Sequence, residues 1–494
     1  MENFELDPGL NHAEFTAGPP LKIHLLGIGG VAMAALAGLL TEAGHLVTGS
    51  DGPLYPPTSE ILDDLGLTVF SGYGPETLPP DSDLVVVGNV VTRAFPVLAR
   101  LKELGRPYLS LPQALDRFWL DRTRNLVVAG SHGKTTTTAL AARIFETAGL
   151  DPGFLIGGDG LDFPRPFRLP RGGWFIIEGD EYDSAFFDKR PKFIHYRPHT
   201  VILTSVEFDH ADIYPDLDAV IAAFESLMGL IPAEGRLIAW GDSPLVRRVA
   251  ARTAARAEFY GLDPENDWRV SNLKNIPSGS EFELAGPEGF FARLSLNRPG
   301  VYNVLNAAAA SAALLGAGGD GRALAPALAG FKGVRRRQEV LGDFGGVTLV
   351  DDFAHHPTAV AATLTALKAA HGGRRLLAAF EPRSNTSRRA VFQKDYAAAL
   401  ALADLVFLRR PPDPHKAPAD DRLDPDRLAD DLGGRARLFD DGLSLGTDLA
   451  DEARAGDIIV VMSNGGFDGL TGHLKARLSE GISGEPDRPQ TYFP

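Results

Sequence analysis

The sequence predicts an α/β protein of three domains, each built on a largely parallel sheet. Three observations lead there. Apolar runs of strand length alternate with helix-spaced apolar patterns from Leu21 to Gly469, as expected of βα units. Two of those runs end in glycine turns that open into helices, at Gly27–Gly30 and Gly130–Gly133. The 494 residues exceed what one hydrophobic core usually supports, and polar breaks at Asp121–Arg124 and Lys332–Gly333 divide them. The expected division is residues 1–122, 123–332 and 333–494, carrying a Rossmann-like sheet, a P-loop ATPase-type sheet and a second Rossmann-like sheet.

Composition narrows the function. An apolar fraction of 44% and a charged fraction of 23% suit a soluble globular protein. The net charge of −15, from 64 acids against 49 bases, argues against nucleic acid or an anionic membrane as the main partner. Without cysteine there are no disulfides, thiolate nucleophiles or cysteine-based metal sites, which suits the cytoplasm. The acidic start, MENFELDPGLNHAEF, lacks the apolar run of a signal peptide. Leu25–Leu40 is rich in Gly and Ala and shorter than the roughly 20 residues a membrane span needs.

In the first domain, residues 21–51 form a strand, a glycine turn, a small-residue helix and a strand ending at Ser50-Asp51. An acid about twenty residues after the glycines is the shape of a nucleotide-binding half-sheet. Ala32 stands where a third glycine would complete G-x-G-x-x-G. The motif alone leaves open a nicotinamide or flavin dehydrogenase, a nucleotide-sugar binder, and plain helix–sheet packing. The pattern continues with helix 58–65, apolar runs LTVF and DLVVVGNVV (83–91), helix 96–104 and PYLS.

The second domain opens with LVVAGSHGKTTTTALAARIFETAG, residues 126–149. A buried strand, a glycine turn and a helix in that order present backbone N–H groups and the positive helix end to an anion. Lys134 is assigned to the terminal phosphates of a nucleotide and Thr135 to magnesium, with Gly130, Ser131, His132, Gly133 and Thr136 completing the loop. Val128 departs from the general G-x-x-x-x-G-K-[ST] pattern, so the motif here is G-x-x-G-K-T-T. The strand WFIIEGDEYD (174–183) ends in acids, of which Glu178 is best placed as a metal ligand, while Asp180 and Asp183 read as a solvated turn. TVILTSV (200–206) runs into Glu207-Phe208-Asp209-His210. Three strand ends, at 130–135, 178 and 207–210, converge on one face and give His210 a site role. Residues 234–296 alternate short β-like runs with turns. Asn303 and Asn306, one turn apart where an alanine-rich helix (306–316) opens, are either caps or amides reading a purine edge.

The third domain begins with Arg335-Arg336-Arg337 and the strand GVTLVDDFAHHP, whose end gathers Asp351, Asp352, His355 and His356. RRLLAAFEPRSNTS (374–387), DLVFL and DIIVVMSNGGFDG (457–469) continue the alternation. The Pro- and Asp-rich loop 410–427 has no assignable function, and the two ends, 1–19 and 479–494, read as poorly ordered.

Taken together, GIGGVAMAALA with GSD, AGSHGKTTTT, IEGDEYD, EFDHAD, the Asn303/Asn306 pair and DDFAHHPT resemble the Mur ligases of peptidoglycan synthesis across nearly the whole chain. Within that family the chain is similar to the branch that acts on UDP-N-acetylmuramate. The stretches 55–62, 86–93, 152–158, 185–198, 380–387 and 462–469 resemble the recycling ligase that attaches L-alanyl-γ-D-glutamyl-meso-diaminopimelate. The alternative is the L-alanine ligase of de novo synthesis, whose arginine-containing segment faces Arg383-Ser384-Asn385-Thr386-Ser387 here, so its single-amino-acid clamp is missing. Tyr302 and Ser205 depart from the His and Asn common in the family.

The resemblance implies an ATP-dependent, amide-forming, ADP-releasing ligase working through an acyl phosphate. Its cofactors are ATP and Mg²⁺, with Mn²⁺ an alternative, and its partners are UDP-N-acetylmuramate and a murein tripeptide. No nucleic acid or membrane is expected, and the chain is a monomer or weak homodimer in the cytoplasm. Lys134, Glu178 and His210 are the implied catalytic residues, and Thr135, Glu178 and His210 the metal ligands. Arg336 joins Lys134 at the γ-phosphate, Asn303 and Asn306 read adenine, and Asp351 contacts the ribose. Gly29, Gly30, Val31, Ala32, Ser50 and Asp51 face the UDP-sugar, and His355, Arg383, Asn385 and Thr386 the peptide. Rival readings are an NAD-dependent dehydrogenase, for the first βαβ unit, and a nucleotide-dependent sensor needing Lys134 but not Glu178 or His210.

Overall fold

A computed structural model describes residues 7–11 and 20–480. Of the ends expected to be poorly ordered, residues 1–6, 12–19 and 481–494 lie outside the described residues, Pro8–Asn11 is a short helix, and residues 479–480 complete the helix Leu470–Glu480.

Three main sheets follow one another along the chain. The first has five parallel strands in the spatial order Thr68–Ser71, Leu46–Asp51, Lys22–Leu26, Leu84–Val87 and Tyr108–Ser110. The chain moves outward in opposite directions from Lys22–Leu26, so a switch-point crevice opens between it and Leu84–Val87, at their carboxyl ends. The second sheet has ten strands. Arg124–Ala129 sits at its centre between Trp174–Gly179 and Pro198–Leu203, parallel to both. The far edge turns antiparallel through Trp268–Ile276, Gly279–Ala285 and Phe291–Leu296, which accounts for the β-like runs of 234–296. The third sheet has six strands, with Val347–Asp352 beside Ile458–Met462 and an antiparallel edge at Glu339–Phe344.

Central strands buried on both faces must be continuously apolar. Leu126, Val127, Val128 and Ala129 are all fully buried. The helix after them, Lys134–Thr147, packs against Val301–Gly316 through small residues, Ala139 and Ala142 on one side and a run of alanines on the other. That second helix starts at Val301, five residues earlier than its alanine run suggests, because Gly300 takes φ 107° as its N-cap. Asn303 and Asn306 therefore lie inside the helix and are not caps. Helix Pro357–Ala370 begins on Pro357, with His356 as a side-chain cap accepting from the Thr358 N–H.

Candidate active site

The carboxyl ends of the second and third sheets face each other and enclose a cavity of 390 Å³, a volume typical of small-ligand sites. Its lining includes Ser131, His132, Gly133, Lys134, Thr135 and Thr136 from the phosphate loop. Glu178 and His210 come from the neighbouring strand ends, Asn303 and Asn306 from the alanine-rich helix, and His355 from the third sheet. Eleven sequence-predicted residues thus meet in one place.

The loop owes its shape to glycine and to Ser205. Gly130 takes φ 134°, and a Cβ there would lie 2.7 Å from the Ser205 nitrogen. Gly133 takes φ 80°, and its Cβ would lie 2.8 Å from Asn306 Oδ1. Both positions exclude side chains. Ser205 accepts from the Ser131 N–H through its carbonyl at 3.0 Å and from the His132 N–H through its hydroxyl at 2.9 Å. The departure from asparagine at 205 thus keeps a clamp on the loop. The N–H groups of Lys134 and Thr135 stand at the helix start, where helical donors lack intrahelical partners.

Lys134 Nζ donates to the Gly130 carbonyl at 2.7 Å and to Glu181 Oε1 at 2.9 Å. The same oxygen lies 2.8 Å from His210 Nε2, while His210 Nδ1 meets the Tyr182 hydroxyl at 2.8 Å. Glu181 is 3% exposed and bridges Lys134 and His210. Burial pulls the His210 pKa down, but the Glu181 hydrogen bond and the charges of Glu181 and Asp209 outweigh it and raise the pKa above the ordinary value. Burial opposes the Glu181 charge as well, and Lys134 and His210 overcome it, lowering the Glu181 pKa. Glu181 escapes sequence reasoning because an acid run after a strand reads as a solvated turn. Asp180, read the same way, pairs with Lys192, and its pKa falls to about 2 despite burial.

Thr135 Oγ1 donates to Glu178 Oε1 at 3.2 Å, and the Gly157 N–H donates to Glu178 Oε2 at 3.1 Å. Glu178 is the penultimate residue of its strand, and burial raises its pKa against the charges of Lys134 and Arg337. A hydroxyl and a carboxylate beside a phosphate loop make a hard-oxygen pair of the kind Mg²⁺ prefers, and this donor set fits that ion. Both ring nitrogens of His210 are already engaged, so it can ligate only by leaving Glu181 or Tyr182.

Arg337, not Arg336, lines the cavity, with Nη2 3.5 Å from Thr135 Oγ1. Arg336 takes φ 57°, and its Nη2 donates to the carbonyls of Ser463 and Gly465 at 2.6 and 2.7 Å, while its Nε pairs with Asp351 at 3.4 Å. Asp351 lies outside the lining, which takes Asp352 instead. Burial pushes the Asp351 pKa up to about 6. Asn303 Nδ2 donates to the Pro299 carbonyl at 2.7 Å and to Gln338 Oε1 at 3.0 Å.

Three of the peptide-side candidates lie apart from the lining, and only His355 is in it. The buried Thr386 hydroxyl donates to Asp209 Oδ1 at 2.7 Å, tying the third sheet to the second. Asn385 Oδ1 accepts from Arg388 at 3.5 Å, and Arg383 lies 3.8 Å from the buried Glu381. The UDP-sugar candidates gather at the crevice of the first sheet. The Gly29 N–H and the Tyr73 hydroxyl each donate to Asp51 at 2.7 Å, and Ser50 Oγ meets His24 Nε2 at 3.3 Å. The half-exposed Val31 opens the helix that follows Gly30, with Ala32 beside it.

Comparison with known proteins identifies the family. The family description "Mur ligase family, catalytic domain" matches residues 22–123, "Mur ligase middle domain" matches 128–314, and "Mur ligase, glutamate ligase domain" matches 336–465. The UDP-N-acetylmuramate–L-alanyl-γ-D-glutamyl-meso-2,6-diaminoheptandioate ligase of Escherichia coli is 40% identical over 95% of this chain and 100% of its own. The UDP-N-acetylmuramate–L-alanine ligase of Acidothermus cellulolyticus is 36% identical over 90% of this chain and 92% of its own. The crystal structure of a murein peptide ligase from Psychrobacter arcticus superimposes with a TM-score of 0.71 at 36% identity, covering 93% of this chain and 99% of that one. The chain belongs to the Mur ligase family of ATP-dependent, amide-forming ligases.

Proposed function

We propose that this protein joins L-alanyl-γ-D-glutamyl-meso-diaminopimelate to UDP-N-acetylmuramate at the expense of ATP, in the recycling of peptidoglycan. One observation carries the reading: a phosphate loop, a hydroxyl–carboxylate pair and convergent cations meet in a cavity between two sheets of a Mur ligase. Similarity to the tripeptide ligases favours that substrate over L-alanine. So does the local bonding of the two serines where the L-alanine branch carries arginines. The Ser387 N–H donates to Ser384 Oγ at 2.9 Å, and Ser387 Oγ donates to the Ser384 carbonyl at 3.2 Å.

In this reading the lactyl carboxylate of UDP-N-acetylmuramate attacks the γ-phosphorus of ATP, forming an acyl phosphate and releasing ADP. The amine of the tripeptide adds to the acyl carbon, and phosphate leaves as the amide forms. Such chemistry needs positioning and neutralised charge more than a protein nucleophile. Lys134 moves from Glu181 to the phosphates, and Arg337 supplies the second charge in place of Arg336. Thr135 and Glu178 would hold Mg²⁺, joined by His210 once freed from Glu181, and the ion would supply positive charge to the phosphate oxygens. Asn306 and Asn303 bound the adenine side, and Asp351 reaches the ribose when the domains close. The first-sheet crevice takes the UDP diphosphate at Gly29–Ala32, with Ser50 and Asp51 positioning that turn. His355, Arg383 and Asn385 meet the peptide, while Thr386 holds the two domains in register.

We place the domain limits at 1–122, 123–332 and 333–494, and the protein in the cytoplasm as a monomer or weak homodimer. Among the described residues no helix is long and apolar enough to cross a membrane. The deciding experiment measures phosphate release from ATP with UDP-N-acetylmuramate and Mg²⁺, adding either L-alanine or the tripeptide. Stimulation by the tripeptide alone is expected. Stimulation by L-alanine alone overturns the substrate assignment.

A further inference from the structure

Beside the phosphate loop a second group of ligand-bearing side chains meets, distinct from the Lys134–Glu181–His210 bridge. His132 Nε2 lies 3.3 Å from Glu207 Oε2, and His356 Nδ1 lies 3.6 Å from the same oxygen. All three ligand atoms fall within 4.8 Å of one another. They come from three segments: the phosphate loop, the turn after the strand Pro198–Leu203, and the residue capping the helix Pro357–Ala370.

Two contacts orient His356. Its Nε2 faces the Phe208 carbonyl at 3.2 Å and so carries the proton. Its Nδ1 faces the Thr358 N–H at 3.4 Å and so presents a lone pair. The same nitrogen lies 3.6 Å from Glu207 Oε2, so a cation placed between them would take the lone pair in place of the long Thr358 contact. An imidazole whose far N–H is held by a carbonyl is the usual orientation of a metal-bound histidine. Thr358 Oγ1 donates to Glu207 Oε2 at 2.6 Å and fixes the carboxylate in turn.

We propose that His132, Glu207 and His356 form a site for a divalent transition-metal ion, with Zn²⁺ as the probe. Zinc bonds of about 2.0–2.2 Å to nitrogen and oxygen place tetrahedral neighbours about 3.3–3.5 Å apart. Two edges of the triangle already lie within a few tenths of an ångström of that, and the third is no longer than 4.8 Å. Two imidazoles and one carboxylate suit zinc, whereas Mg²⁺ prefers an all-oxygen shell, so this set and the Thr135–Glu178 pair select different ions. Three protein ligands leave a fourth position open. Bound there, the ion ties the phosphate loop to the third domain, and this holds whichever peptide or amino acid the ligase accepts.

The test is equilibrium dialysis of the full chain against Zn²⁺ in excess Mg²⁺, with bound zinc counted by elemental analysis, together with the visible spectrum of the Co²⁺-loaded protein. We expect one zinc per chain in the parent and in Glu178→Gln, and binding weaker by about ten-fold or more in His356→Gln and Glu207→Gln. Zinc should raise the thermal midpoint of the parent and leave that of His356→Gln unmoved. If His356→Gln does not fold, His132→Gln carries the same comparison. No retained zinc in the parent, equal zinc in the parent and His356→Gln, or loss of zinc in Glu178→Gln each overturns the assignment.

Discussion

Replacing Glu181 by Gln tests the bridge at the centre of the cavity. The side chain keeps its shape and loses its charge, leaving Lys134 and His210, with side chains only 12% and 17% exposed, facing each other without their shared anion. Breaking a buried ion pair on one side costs about 3–5 kcal/mol. The Gln oxygen still accepts a neutral hydrogen bond, worth about 1 kcal/mol, and His210 can shed its proton, so a net loss of about 2–3 kcal/mol is expected. At roughly 2–4 °C per kcal/mol for a unit of this size, the transition of the middle domain should drop by about 4–12 °C. The pH dependence gives a second readout. His210 has a raised folded pKa in the parent, so its contribution is full below the unfolded value and is lost as pH rises through the folded one. Without the Glu181 charge, burial dominates and the slope reverses, with stability falling as pH drops below about 6.5. Thermal unfolding of parent and variant at about pH 6 and about pH 8, with ring-proton NMR of His210, measures both effects. An unchanged midpoint together with an unchanged His210 titration would refute the bridge.

Arg337→Met should lower kcat by about 10²–10³-fold, as removal of a group stabilising transition-state charge does, whereas Arg336→Met should act mainly on stability by freeing the Ser463 and Gly465 carbonyls. Steady-state kinetics and unfolding of the pair decide between the two arginines. Gly133→Ala combines a φ of 80° with a Cβ lying 2.8 Å from Asn306 Oδ1. A left-handed residue costs about 1–2 kcal/mol, so nucleotide affinity by calorimetry should weaken roughly ten-fold. Burial lowers the His24 pKa to about 4, so the first domain should lose stability as pH falls from 6.5 to 4, by about 3 kcal/mol in total. His24→Asn should flatten that slope in urea titrations of the domain.

The phosphate loop is legible in the sequence because its chemistry is local: strand, glycines, lysine and helix follow without a gap. Glu178 is legible for a related reason, since parallel sheets bring strand ends to one edge. Glu181 is not, because what buries it is Lys134, 47 residues away, and His210, 29 residues away. The choice between Arg336 and Arg337 turns on one backbone angle, the positive φ at Arg336, and three consecutive arginines carry no sign of it. The two asparagines were ambiguous between cap and site because the helix start hangs on Gly300, whose positive φ marks an onset before the alanine run. The run 383–387 lies in a turn where Ser384, Thr386 and Ser387 bond within the fold, long-range and turn contacts that the row of polar residues does not announce in sequence.

The cavity is a joint as much as a site. Asp209, at the end of the middle-sheet turn, accepts from Thr386 of the third domain, the Phe208 carbonyl accepts from His356, and Glu207 accepts from Thr358. Three consecutive residues of one turn thus each receive a hydrogen bond from the other domain, next to the loop that would hold phosphate. Any motion that opens the cavity must break these bonds together, and any charge entering beside Lys134 competes with the Glu181 pair that sits against the same turn. Substrate entry and domain position are therefore coupled through residues 207–210, and a substitution at Thr386 or Thr358 should change the nucleotide site without touching a nucleotide.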